Sequence, residues 1–227
     1  MRQVRLGPSV LVIASYWPLD FRLAYHAAIW YYKIRNNMAG AALQSQFQRL
    51  RDSHSWNSTI FYAPAASFIK TMCQPGEDLV SLPTIGEFRA TLRSRIQETL
   101  TRLWSTEDKG VWTKQLIPTW SSIPLTSKMY SKTGSVRQLQ MISGHFQCNA
   151  FRLRTGQTNS PSCRHGCDCD EDITHILHHC PHYSSPRASL LSQLALHDLE
   201  PTTKNMLTNN LTTIAVQKFL TKVDIGG

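Results

Sequence analysis

Nowhere in these 227 residues is there a run of about 18 apolar side chains, the length needed to cross a bilayer as a helix. A membrane-spanning helix is therefore not expected. The opening segment sets Arg2 and Arg5 before the apolar run Val10 to Ala14, which is shorter than the roughly 7 to 15 residues of a secretory h-region, so export is not expected either. Cysteine is scarce outside one short stretch: Cys73 and Cys148 stand alone, and the other four are too close together for an extracellular disulfide framework. That distribution points to a reducing, intracellular compartment, nucleus or cytoplasm, and makes the triplets Asn57-Ser58-Thr59 and Asn210-Leu211-Thr212 chance matches to a glycosylation signal. Acidic residues are also few, 15 against 24 Lys and Arg, and this deficit of negative charge invites a polyanionic partner.

The deficit is uneven. Residues 121 to 162 carry five cations (Lys128, Lys132, Arg137, Arg152 and Arg154) and no acid at all. With Tyr130, Phe146 and Phe151 among them, they form the best nucleic-acid surface in the chain, able to neutralise phosphates and stack on bases; a merely solvated basic face is the plainer alternative. Residues 1 to 60 are basic as well, and 163 to 182 are acidic.

Chemistry concentrates between Cys163 and Cys180, in CRHGCDCDEDITHILHHC, with four cysteines and four histidines in 18 residues. Cys163 and Cys167 are separated by three residues and His175 and Cys180 by four, and two such close pairs joined by a loop are a common tetrahedral zinc arrangement. Gly166 can supply a positive φ that turns both thiolates to one point. The second pair is expected on a short helix from about Ile173 to Cys180, stopped by Pro181, with Asp170, Glu171 and Asp172 at its positive N-terminal end as capping groups. Cys169 is an alternative to Cys167, and His178, His179 and His182 are further candidates for the fourth position. Surface histidines beside buried free cysteines would be the simpler account.

The rest of the chain reads as mainly α, an irregular helical array with a small zinc-knuckle module near its C-terminus. A helix is expected from about Leu19 to Asn36 with Leu23, Ala27, Trp30, Tyr31 and Ile34 on its apolar face, continuing in a second from about Ala39 to Arg51. Tyr25, Trp30, Tyr31 and Tyr32 among Arg22, Lys33 and Arg35 could stack on bases, though an aromatic stripe is more often core. Residues 53 to 83 read as a connecting region with some local structure, because Pro64, Pro75 and Pro83 oppose a long helix. Thr84-Ile85-Gly86-Glu87 is a capping box opening a helix with Leu92, Ile96, Leu100, Leu103 and Trp104 on one face. Val111 to Pro118 reads as an extended crossing segment pinned by Trp112 and Trp120.

Further helices are expected with Val136, Leu139 and Ile142 facing one way, from His145 to Arg154, from Ser185 with Pro186 at its first turn, and from about Pro201 to Val223. The pattern divides into a segment 1–60, a linker and amphipathic helix 61–120, a basic segment with the knuckle 121–185, and terminal helices 186–227.

Four segments together resemble the C-terminal part of reverse transcriptases from non-LTR retrotransposons, the jockey-like and site-specific arthropod lineages. Pro18-Leu19-Asp20 is similar to the motif that opens the thumb, Trp112 to Pro118 to the family's W-T-K-x-L-I-P, Gln140 to His145 to its Q-x-L-T-G-H, and Ser160 to Tyr183 to its terminal Cys/His knuckle. Phe146, Arg152 and Thr174 depart from the usual residues and Cys169 is extra. The resemblance makes Cys163, Cys167, His175 and Cys180 the zinc ligands, segment 1–60 the end of a thumb, and RNA or DNA the partner, alongside the remainder of a retrotransposon polyprotein.

It also marks what is missing. Such polymerases hold two divalent ions on paired palm aspartates that follow an aromatic residue, and no such pair occurs here; nor is there a ribonuclease-H-like carboxylate set. No catalytic residue is therefore assigned, and polymerisation by this chain alone is not expected. A zinc deaminase would need H-x-E, whereas His145 is followed by Phe146 and Gln147.

Overall fold

The computed structural model describes residues 18–38, 40, 41, 44, 45, 49, 62–120 and 131–223. It is mainly helical, and the β pairing among the described residues is the isolated antiparallel bridge between Ser162 and Asp170. No described helix is long and apolar enough to cross a membrane. The described residues fall into two compact units, one within 17–103 and one from Trp104 onward. Lys128, Tyr130, the triplet at Asn57 and most of the helix expected over 39–51 lie outside the described residues.

In the first unit, α1 (Leu19–Arg35) packs on α2 (Tyr62–Met72), with α3 (Ile85–Thr106) opening behind them. The buried face of α1 is Tyr25, Ala28, Ile29 and Tyr32, offset from the expected stripe, and Leu23 and Trp30 are exposed. Aromatic side chains decide the offset. Tyr32 stacks on Phe88 at 4.4 Å and its hydroxyl donates to the Leu82 carbonyl at 2.6 Å, so its polar tip is satisfied while its ring is fully buried. Tyr25 and Tyr32 are thus core residues, whereas Trp30 stays outside with Lys33 Nζ over its ring at 5.1 Å.

α2 replaces the connection expected there, because Pro64 falls in its first turn, where an N–H would have no intrahelical acceptor. The Thr84 hydroxyl accepts from Glu87 N at 3.1 Å, one half of the expected box, and α3 buries Phe88, Leu92, Ile96 and Leu100. Each such burial contributes about 1.5 to 3 kcal/mol. Leu103 is exposed, one position off that stripe.

The second unit begins at Trp104, whose indole N–H donates to the Ile117 carbonyl at 2.8 Å. Between those residues the chain forms α4 (Val111–Leu116) and not the expected extended segment. Gly110, at φ +73°, turns the chain into the helix, and Ile117, non-helical at φ −129° ahead of Pro118, ends it. So short a helix is held by its neighbours. Trp112 Nε1 donates to the Met141 carbonyl at 2.7 Å and the Thr113 hydroxyl to that of Ile142 at 3.1 Å, which binds α4 to the last turn of α5 (Lys132–Ser143).

α5 packs on α9 (Thr213–Thr221) through Gly134, Gln138 and Met141, while Val136 is exposed. Gly134 is what permits the approach, since a Cβ there would lie 2.7 Å from the Gln217 carbonyl oxygen. Inside the interface Gln217 Nε2 donates to Gln138 Oε1 at 2.9 Å, and Gln138 Nε2 to the Leu207 carbonyl at 2.8 Å, so neither buried amide is left unpaired.

α6 is shorter than expected, Asn149–Arg154, and the terminal helix is two, α8 (Thr203–Thr208) and α9, separated by Asn209 to Thr212. Asn209 causes the break: its side chain accepts from Leu211 N at 2.9 Å, a turn that competes with helix continuation. α7 (Ser184–Leu196) packs on α9 and on the segment before it.

Candidate metal centre

The ligand pairs come from two unlike pieces of backbone. Cys163 and Cys167 sit on a turn closed by Gly166 N donating to the Cys163 carbonyl at 3.1 Å, with Gly166 at φ +76° as the spacing predicts. His175 and Cys180 sit at the ends of a wide turn, His175–His179, of π type, where Cys180 N donates to the His175 carbonyl at 2.8 Å. In a regular α-helix residues five apart stand about 140° around the axis from each other, so the expected α-helix would have parted them. The i to i+5 bond brings them together. Asp172 Oδ1 accepts from His175 N at 2.6 Å and caps this turn, as expected.

Arg187 of α7 holds its other end, donating to the carbonyls of Ile176 at 3.2 Å and Cys180 at 2.7 Å.

The result is a cluster of Cys163, Cys167, His175 and Cys180 whose ligand atoms all lie within 4.8 Å of one another. Cys163 and Cys167 Sγ are each 4.0 Å from Cys180 Sγ, and His175 Nε2 is 3.3 Å from Cys163 Sγ. With metal–sulfur bonds of about 2.3 Å and a metal–nitrogen bond of about 2.0 to 2.1 Å, a tetrahedron has S–S edges of about 3.8 Å and S–N edges of about 3.6 Å. The cluster fits a tetrahedral ion. Desolvation and the neighbouring Cys163 and Cys180 sulfurs push the Cys167 thiol up to about 12, the response of sulfur crowded on sulfur, and a cation among them reverses that preference.

Of the alternatives, Cys169 lies outside the four-atom set, with its sulfur 3.2 Å from His175 Nδ1. His178 pairs with the Thr203 hydroxyl at 2.9 Å, His179 is exposed, and His182 stacks on His165 at 3.7 Å. His165 Nε2 in turn lies 2.8 Å from the Tyr183 hydroxyl.

Glu171 was expected to cap a helix and instead is buried, 2 % exposed. Its carboxylate takes the Arg164 guanidinium through Nε at 2.7 Å and through Nη2, and accepts Arg164 N at 3.2 Å and Asn149 N at 3.0 Å. Burial alone would raise its pKa, but the hydrogen bonds from Arg164 and Asn149 outweigh it and hold Glu171 below the usual carboxylate value. This pair ties the cysteine turn to the start of α6. A signal existed in the sequence: along Asp170-Glu171-Asp172-Ile173 the inward positions alternate, and Glu171 shares its side with Ile173.

The expected cationic residues are not one surface. Lys132 is exposed at the first turn of α5. Arg137 turns inward, donating to the carbonyls of Leu220 at 2.6 Å and Val223 at 2.8 Å at the end of α9, so it serves there as a cap. Arg152 is half-buried on α6, and exposed Arg154 lies over Phe151 at 5.1 Å and donates to the Gly144 carbonyl at 3.2 Å. No family model, curated protein or solved structure matches the chain.

Proposed function

We propose that Cys163, Cys167, His175 and Cys180 hold a structural zinc ion, and that the cationic segment ahead of them contacts RNA or DNA as part of a non-LTR retrotransposon reverse transcriptase. The observation that carries the zinc reading is the convergence of three sulfurs and one imidazole nitrogen within 4.8 Å. Soft thiolates with imidazole in a tetrahedron suit zinc, and four protein donors leave no position for a reacting water, the arrangement of a structural site. Support for the nucleic-acid reading comes from the acid-free stretch of residues 121 to 162, the exposed Lys132 and Arg154, and the four resembling segments. The Arg164–Glu171 pair joins the metal turn to α6, which carries Arg152 and Arg154. Polymerisation itself would belong to the remainder of the polyprotein.

The test is binding to single-stranded RNA and DNA between about 50 and 200 mM salt, with zinc content measured on the same protein. One zinc per chain is expected, together with affinity that falls steeply with salt. Replacing Lys132, Arg152 and Arg154 by Glu should weaken binding to every sequence and lower the salt slope by about one per cation. A flat salt response would overturn the nucleic-acid reading and leave a helical interaction module with structural zinc.

A further inference from the structure

Arg187 is a buried cation that no carboxylate balances. Among the described residues no Asp or Glu forms an ion pair with it, and the buried Glu171 is engaged with Arg164. It is also the fourth residue of α7, where the positive end of the helix disfavours a further positive charge and the first turn carries no acid. Its Nη2 donates to the carbonyls of Ile176 at 3.2 Å and Cys180 at 2.7 Å, and its Nε is buried without a partner. Two carbonyl dipoles fix where the guanidinium sits but do not cancel a unit charge. A buried charge without an opposite one is costly.

One of those acceptors belongs to Cys180, which sets the guanidinium beside the Cys/His cluster, where Cys163, His175 and Cys180 are themselves buried. Metal binding takes cysteine as thiolate and histidine as neutral imidazole. Three thiolates, one imidazole and a divalent ion then sum to one negative charge. That charge needs a cation in a buried site for the same reason that Arg187 needs an anion.

We infer that Arg187 is the counter-ion of the loaded metal centre, its single positive charge balancing the single negative charge of a divalent ion with three thiolates and one imidazole. This rests on the metal reading above. Arg187 is a positioning residue and not a ligand: it holds the Cys180 carbonyl and neutralises the centre from α7. A cation at the disfavoured end of a helix is thereby accounted for.

The test measures zinc affinity of the full chain by chelator competition in wild type, Arg187→Gln and Arg187→Lys, and repeats the three in a Cys167→His background. Gln keeps a donor for a carbonyl and removes the charge; Lys keeps the charge and loses the planar fork. Cys167→His makes the loaded centre neutral. Thiolate-to-cobalt absorption after Co²⁺ substitution counts the sulfurs in each chain. Arg187→Gln should weaken zinc about 10- to 100-fold, Arg187→Lys should retain most of the affinity, and in the neutral centre Arg187→Gln should cost little. Unchanged affinity in Arg187→Gln would overturn the inference alone. So would equal losses in Arg187→Gln and Arg187→Lys, or the same loss from Arg187→Gln in both centres, either of which makes Arg187 a hydrogen-bonding cap and nothing more. If the Cys167→His chains take up no zinc, the comparison of Gln with Lys decides. Absence of bound metal in wild type would overturn this reading together with the one beneath it.

Discussion

Within the second unit, the α5–α9 interface and the segment 163–180 are organised by different physics. The interface depends on close approach. Gly134 admits Gln217, two buried glutamines satisfy each other, and Met141, Ile142, Val216 and Leu220 fill the space around them. Its order is spread over many contacts, each small, as in any packed interior. Segment 163–180 also packs apolar side chains, burying Ile173, Ile176 and Leu177, but it carries no regular α-helix longer than a turn. The rest of its order lies in the Cys/His cluster, one buried ion pair and the hydrogen bonds from Arg187. The first arrangement tolerates the loss of any single group better than the second, whose three thiols crowd one another until a cation joins them.

The largest expected effect follows from removing the proposed zinc. Binding of structural zinc in finger peptides is worth about 10 to 16 kcal/mol near neutral pH, far more than packing supplies to a segment of this size. Chelation should abolish hydrogen-exchange protection of the Cys180 and Ile176 amides while the amides of α5 and α9 stay protected. Simultaneous loss in both places would break the comparison.

Next in size is the ion pair. Replacing Glu171 by Gln or Arg164 by Met leaves the other charge buried, and breaking such a pair costs about 3 to 5 kcal/mol, whereas replacing both by apolar residues is often near neutral. Urea unfolding of the two single variants and the double variant checks this. The pH dependence has a definite sign. Glu171 titrates below its ordinary value of 4.5 in the folded chain, so its contribution is fully present above that pH and is lost as pH falls through the folded pKa. In Glu171→Gln the corresponding part of the acid-side slope in stability should vanish.

These two regions were not equally legible in the sequence. The spacing of the Cys/His pairs marked a candidate cluster because close pairs constrain one another locally, and Gly166 was recognisable for the same reason; spacing left Cys167 and Cys169 as alternatives, and the fold brings Cys163, Cys167, His175 and Cys180 together. Arg137 was not: its acceptors lie 83 and 86 residues away, a separation no local pattern encodes, so an inward cap read as a phosphate contact. Arg164 and Glu171 escaped because three consecutive acids suggest a helix cap, and that reading hid the alternation that sets Glu171 on the side of Ile173. For α4, the want of regular periodicity argued for an extended chain, and hydrogen bonds to Met141 and Ile142 decided otherwise. The resembling segments at Trp112 and at Gly144 are in contact, which sequence order alone did not reveal.

The smallest expected effect isolates that contact. Gly144 and Gly166 have nearly the same backbone, φ +74° and +76°, and Ala in that region costs about 1 to 2 kcal/mol by itself. Their surroundings differ. A Cβ at Gly166 meets nothing within 4 Å, whereas one at Gly144 meets Trp112 Cδ1 at 3.3 Å. Trp112 cannot shift freely, since its indole N–H is bound to the Met141 carbonyl at 2.7 Å, and losing that bond adds about 1 kcal/mol. Gly144→Ala should therefore lower global stability by about 2 to 3 kcal/mol in urea unfolding. Gly166→Ala should cost only the backbone term, registered as weaker affinity for the proposed zinc with the global transition almost unchanged, because strain in the turn would be borne by that ion while strain at Gly144 is passed to the packed helices.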